Sequence, residues 1–278
     1  MPHIIRVAHS PDSDDAFMFY ALSKGLIDTG DIRYVHELQD IETLNQRALR
    51  GELEVTAVSI HAYSYLTERY ALLPHGASMG DRYGPRLVAR EPMSGESLRG
   101  RRIAVPGPLT TAALVLRMYQ PDFVAVTMPF DQIEDAVERG DVDAGMLIHE
   151  GQLTYGDRGL HLVADMGEWW YEQTKLPLPL GGNVIRKDLG YPLIRTISSH
   201  LRASIAYGLS NRTIALDYAM GFARGLDRGK ADEFVGMYVN EWTLDYGERG
   251  RRAVRTLLQK GVEAGIIDRQ VTVEFIDD

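Results

Sequence analysis

Short apolar runs alternate with amphipathic stretches along the first two thirds of the chain. Ile4-Ile5-Arg6-Val7-Ala8 opens the series, then Val55 to Ile60, Arg102-Ile103-Ala104-Val105, and Gly145-Met146-Leu147-Ile148. Runs this short and this apolar read as strands buried on both faces. Between them, Asp40 to Arg50 and Pro129 to Arg139 carry helical spacing, and both stop at Arg-Gly, where glycine suits a helix C-cap. Each of these helix–strand units follows a strand, a loop and a further helix. The first such helix is expected over about Ala16 to Leu22, the second over about Ala112 to Tyr119. Alternation of this kind predicts parallel sheets.

The two series form a weak internal duplication, so two similar α/β lobes are expected, with strand ends and helix starts facing across a cleft. Pro85 to Ala89 reads as an extended crossover and Leu180 to Ile185 as the return. This divides the chain into a larger lobe, 1–87 with 186–278, and a smaller one, 88–185. Two crossovers make a plausible hinge pair. Beyond Asp188 the pattern turns helical, at about Leu193–Tyr207, Thr213–Gly225, Ala231–Trp242 and Glu248–Ala264, and this tail is expected to pack on the first lobe.

Composition narrows the function. The 278 residues are 45% apolar and 25% charged, ordinary for a globular protein with ample core. A net charge of −9 and a pI near 5.4 argue against nucleic acid as a partner. The basic cluster Arg99 to Arg102 reads as a solvated turn. There are no cysteines, which excludes disulfides, thiolate catalysis and cysteine-ligated metals. No apolar window is long enough for a membrane span, and the opening strand lacks a leader pattern, so a cytoplasmic protein is expected.

The chemistry gathers at strand ends. Ligands of open α/β sheets bind beyond the carboxyl ends of strands, and Leu147-Ile148 delivers His149 and Glu150 there. A histidine so placed can move protons near neutral pH, or can simply be hydrogen-bonded at a strand end. The loop Ser10-Pro11-Asp12-Ser13-Asp14-Asp15 offers Ser10 and backbone N–H groups to a ligand, with Asp14 or Asp15 as helix N-cap. Its acids lack the spacing of a calcium loop, so no metal is expected. Gly107 to Ala112 opens a helix whose free N–H groups suit carboxylate or phosphate oxygens, and Thr110 or Thr111 serves as its cap. Ser59 ends the matching first-lobe strand and either faces the cleft or caps the next helix. His9 reads as packed, His61 as surface or structural, and Trp169-Trp170 as core, with an aromatic cleft wall as the lesser reading. The absence of a catalytic-triad spacing, nucleotide fingerprint or His-x-x-x-His pair leaves no cofactor expected.

Several of these segments, taken in order, resemble one enzyme family. They are His9-Ser10-Pro11-Asp12-Ser13-Asp14-Asp15-Ala16-Phe17, Val105-Pro106-Gly107 with Thr110-Thr111-Ala112, Ile148-His149-Glu150, and Leu176-Pro177-Leu178-Pro179-Leu180-Gly181. Together they resemble the menaquinone-biosynthesis enzymes of the futalosine route, and the last two favour its 1,4-dihydroxy-6-naphthoate synthase branch over the sister chorismate dehydratases. The resemblance implies a two-lobed periplasmic-binding-protein-like (type II) fold used as a cofactor-free carbon–carbon lyase. It implies cyclic dehypoxanthinyl futalosine as substrate, a proton acceptor at His149, and substrate contacts at Ala57, Val58, Ser59, Thr111 and Ala112. Two departures stand out. Many relatives have Cys-Pro-Asn-Asp at 12–15, and some have a lysine where this chain has Ala57. Arg86, beside the crossover, is the expected substitute cation for a substrate carboxylate. A solute-binding protein for a small organic anion is the alternative from another class. Oligomeric state is not legible.

Overall fold

The computed structural model describes residues 3–277. Its strands, in chain order, are β1 (His3–His9), β2 (Ile32–Leu38), β3 (Val55–Ser59), β4 (Tyr70–Leu72), β5 (Ser78–Gly80), β6 (Arg86–Ala89), β7 (Arg102–Val105), β8 (Val124–Thr127), β9 (Ala144–Leu147), β10 (His161–Asp165) and β11 (Leu178–Arg186). They form two sheets. The first has the order β2-β1-β3-β11-β4, with β5 also on β11; the second has the order β10-β6-β9-β7-β8.

The duplication is exact in register at the centre of each sheet. Val7 and Ala8 of β1 lie parallel to Val55 and Thr56 of β3, as Ile103 and Ala104 of β7 lie parallel to Ala144 and Gly145 of β9. The helices Ile41–Leu49 and Ile133–Arg139 play the same part in each copy. One buries Leu44, Asn45 and Ala48, the other Ile133, Ala136 and Val137, and glycines with positive φ, Gly51 and Gly140, end both. Asp40 caps the first by accepting from the Thr43 N–H at 3.0 Å.

The sheets are mixed where the alternation predicts parallel ones. The crossovers β6 and β11 each enter a sheet antiparallel to its central strand, β6 beside β9 and β11 beside β3. An apolar run does not encode strand direction, and a chain that crosses to another sheet and returns need not run with its neighbours.

The tail is helical as expected: Tyr191–Ser210, Arg212–Ala219, Arg228–Tyr238 and Gly247–Glu263. Ile194, Ile197, Leu201 and Ile205 of the longest helix pack on Ile5, Val7, Val55 and Ile185 of the first sheet. Each such side chain contributes roughly 1.5–3 kcal/mol by leaving water. The first-lobe helix begins earlier than expected, at Ser13–Met18, and restarts as Tyr20–Ser23. Trp170 is buried with its ring N–H donating to the Pro177 carbonyl at 3.0 Å, and Trp169 packs edge-on against Tyr119; both belong to the core and neither lines the cleft. Among the described residues no helix is long and apolar enough to cross a membrane.

Candidate active site

A cavity of about 760 Å³, part of it open to solvent, lies between the two sheets, against the ends of β3 and β9, the loops after β1 and β7, and β11. Ser10, Ala57, Val58, Ser59, Thr111, Ala112 and His149, all expected at the site, line it. Arg86 does not.

The first-lobe wall is held by Asn45. Its amide N–H donates to the Ser59 hydroxyl at 3.1 Å, and its carbonyl accepts from the Ser59 N–H at 2.9 Å. Ser59 sits at the N-cap position of the next helix without making a side-chain cap bond. Its hydroxyl proton is therefore available to a ligand.

The second-lobe wall is the start of the helix Thr111–Tyr119. Thr110 caps it by accepting from the Ala113 N–H at 3.2 Å. The Thr111 hydroxyl donates to the Leu180 carbonyl at 2.7 Å and accepts from the His61 N–H at 3.2 Å, so it joins the lobes. What Thr111 and Ala112 offer the cavity is their backbone N–H groups, which lack intrahelical acceptors. Gly107 lies close under Glu42: a Cβ there would lie 2.3 Å from Glu42 Oε2, and the Glu42 side chain would have to shift. That Glu42 carboxylate accepts from the Leu109 N–H at 3.2 Å and ties the lobes a second time.

His149 leaves β9 in left-handed backbone, φ +59°. A non-glycine residue there costs on the order of 1–3 kcal/mol, so its surroundings must hold it. Gln152 does so: its backbone N–H and side-chain amide donate to the His149 carbonyl at 3.1 and 3.2 Å. Tyr238 in turn donates to Gln152 Oε1 at 2.7 Å. The ring packs edge-on to Phe130, and Nδ1 lies 3.0 Å from Asp12 Oδ2. Nε2 is buried without a partner.

Asp12 is shared. Its other oxygen lies 2.6 Å from Arg224 Nη2, and Arg224 stacks over Phe130 with its carbon 4.4 Å from the ring centre. Arg224 also has positive φ, +48°. Burial opposes charge on Asp12, but the facing His149 charge and hydrogen bond, then Arg224, hold it below the usual carboxylate range. Burial likewise opposes charge on His149, yet Asp12 outweighs it and raises the imidazole to about 9. This pairing favours the imidazolium form of His149 in the free protein.

The loop acids divide their roles. Neither Asp14 nor Asp15 is the N-cap; Asp12 occupies that position and makes no cap bond. Asp15 Oδ2 accepts from the Ser10 N–H at 2.7 Å. Asp14 lines the cavity, and burial together with the Asp12 charge pushes it up to about 7. Glu150 is buried; it makes no hydrogen bond to His149 and lies 4.0 Å from Arg224 Nη1. His61 is buried with Nδ1 3.3 Å from the Thr110 carbonyl oxygen, and His9 stacks on Phe19; burial lowers both, to about 4 and about 3. Neither lines the cavity.

Arg86 departs from expectation. Its guanidinium donates to the Gln152 carbonyl at 2.5 Å and faces Asp165 at 3.4 Å, since β6 places it beside β9 and β10 and outside the cavity. The sequence reading also missed Arg224. Ala223-Arg224-Gly225 carries the same Arg-Gly punctuation as the two repeat helices, and that signal pointed to a helix end alone.

A menaquinone-biosynthesis family model matches residues 5–263. A 1,4-dihydroxy-6-naphtoate synthase of Thermus thermophilus is 42% identical over 262 residues, covering 94% of this chain and 95% of the relative. Protein AF1704 of Archaeoglobus fulgidus, a solved structure, superposes with a TM-score of 0.91 at 50% identity, over 95% of this chain and 98% of that one. The alkanesulfonate-binding protein SsuA of Xanthomonas axonopodis pv. citri superposes with a TM-score of 0.72 at 11% identity, over 98% and 96% of the two chains. This last likeness shows the two-lobed periplasmic-binding-protein fold and no more. With a family model over most of its length and a close relative along nearly all of it, the chain belongs to the menaquinone-biosynthesis family and is an enzyme of that pathway.

Proposed function

We propose that the chain is a 1,4-dihydroxy-6-naphthoate synthase that works as a cofactor-free carbon–carbon lyase on cyclic dehypoxanthinyl futalosine. The observation that carries the reading is His149 on the cavity wall, with Nδ1 fixed on Asp12 and Nε2 left without a hydrogen-bond partner. A base needs one ring nitrogen oriented by an anion and the other presented to the substrate. Neutral His149 takes a hydroxyl proton from the sugar-derived portion. The O–H pair becomes the new carbonyl, the adjoining C–C bond breaks, and its electrons pass to an oxygen of the bicyclic ring, which aromatises once protonated. Ser59 donates to a substrate oxygen, and the N–H groups of Thr111 and Ala112 meet negative charge.

The raised basicity of His149 fixes the pH dependence. The active form lacks the imidazole proton, so kcat/KM should fall about tenfold per pH unit on the acid side of neutrality. His149→Asn is expected to lower kcat by roughly 10²–10⁴-fold while substrate still binds, read by appearance of the aromatic naphthoate and by binding calorimetry. Turnover near the wild-type rate would refute the assignment.

A further inference from the structure

Three acids of one loop face the cavity, and their contacts separate them. Asp12 is held by His149 and Arg224, and Asp15 by the Ser10 N–H. Asp14 remains, partly buried on the cavity wall, with no lysine or arginine paired to it among the described residues. The groups that face it are Asp12 and Asp15 of its own loop, His149 and Glu150 of the second-lobe tip, and Tyr238 of the helix Arg228–Tyr238. Of the cations nearby, His149 faces Asp12, and Arg224 pairs with Asp12 and lies 4.0 Å from Glu150.

The lining poses an electrostatic problem. Asp12, Asp14 and Asp15 contribute to it, and among the described residues no lysine or arginine does. A carboxylate-bearing ligand would meet like charge there unless the uncompensated acids carry protons. Burial and the neighbouring acids raise both Asp14 and Asp15, against the opposing His149 charge, and Asp15 is tied to the Ser10 N–H, so Asp14 is the acid whose proton can be offered to a ligand. A carboxylic acid kept neutral on a cavity wall becomes a hydrogen-bond donor, which a carboxylate is not.

We propose that Asp14 acts as a neutral carboxylic acid, donating a hydrogen bond to the substrate oxygen on which negative charge develops. The proposal rests on the lyase reading above and adds a second required protonation state to it. His149 must lack its proton while Asp14 keeps its own. With Asp14 near 7 and His149 near 9, the competent form is a minority at every pH. Its share rises below pH 7, stays level between the two values and falls above 9.

Asp14→Asn separates the possibilities, because the amide still donates but no longer titrates. Its kcat/KM is expected to keep rising past neutrality, to lose the fall above pH 9, and to exceed the wild type at pH 9 by roughly tenfold or more. Asp14→Leu, which cannot donate, should lower kcat at every pH. An Asp14→Asn enzyme inactive throughout would make Asp14 a base, and one with the wild-type alkaline fall would place that titration elsewhere; either overturns the proposal. Carbon-13 NMR of the Asp14 carboxyl in the ligand-free protein gives a readout apart from turnover. Titration near 7 is expected, and a carboxylate already ionised at pH 5 would contradict it. Normal turnover by His149→Asn would instead remove the lyase reading and leave the Asp14 titration standing.

Discussion

The two strand-to-helix junctions of the internal repeat share a plan and spend it differently. At the second-lobe junction, Thr110 caps its helix and Thr111 joins the lobes. At the first, Asp12 occupies the cap position without capping, and its carboxylate crosses the cleft to His149. The strand ends differ in the same way. Counting outward from the matched register, Ile60 is the counterpart of His149. Ile60 is buried in the core and opens a helix directly, whereas His149 is held in left-handed backbone with a ring nitrogen unpartnered. Within a duplicated scaffold, the copy that gives up local satisfaction is the one to which the proposed mechanism assigns the chemistry.

The contrast can be broken by substitution. The largest effect is expected from Asp12→Asn, which keeps an acceptor for the His149 ring but removes the charge. A fall in kcat of about 10²-fold or more is expected in steady-state assays above pH 9, where His149 is neutral in both proteins, by analogy with loss of the orienting acid in other base–acid pairs. The same pair also links stability to pH. Because the folded value for His149 is raised, its contribution is fully present below about 6.5 and is lost as pH rises through about 9. Thr110→Ala addresses the other junction. It should cost about 1 kcal/mol in denaturant unfolding, the usual loss for a helix cap, while kcat at saturating substrate stays near wild type. The smallest effect is expected from Arg86→Ala. It removes a bond to the Gln152 carbonyl, so a modest change in kcat is expected with little change in KM. A strongly raised KM would restore Arg86 as the partner of a substrate carboxylate.

Much of the scaffold was legible because a duplicated pattern constrains itself: two Arg-Gly helix ends, two apolar strands and two loops agree on one architecture. Direction was not, since β6 and β11 show apolar runs that fit either orientation. The strand-end positions Ser59 and His149 were legible for the same reason as the repeat. The work of the acidic loop was not, because an aspartate at a helix start satisfies the rules for a cap whether or not it caps. Arg224 was hidden by distance, since its ion pair with Asp12 joins residues from opposite ends of the chain. Arg86 was misread because a strand position says which neighbours a residue has only once the pairing is known; Asp165 on β10 and the Gln152 carbonyl beyond β9 hold it away from the cavity.

The central claim is that Asp12 makes His149 an unusually strong base, and the titration of the His149 ring by nitrogen-15 NMR tests it most directly. A midpoint near 9 is expected in the wild type, moving toward the ordinary 6.5 in Asp12→Asn. A wild-type midpoint at 6.5, or one that the substitution does not move, would contradict it.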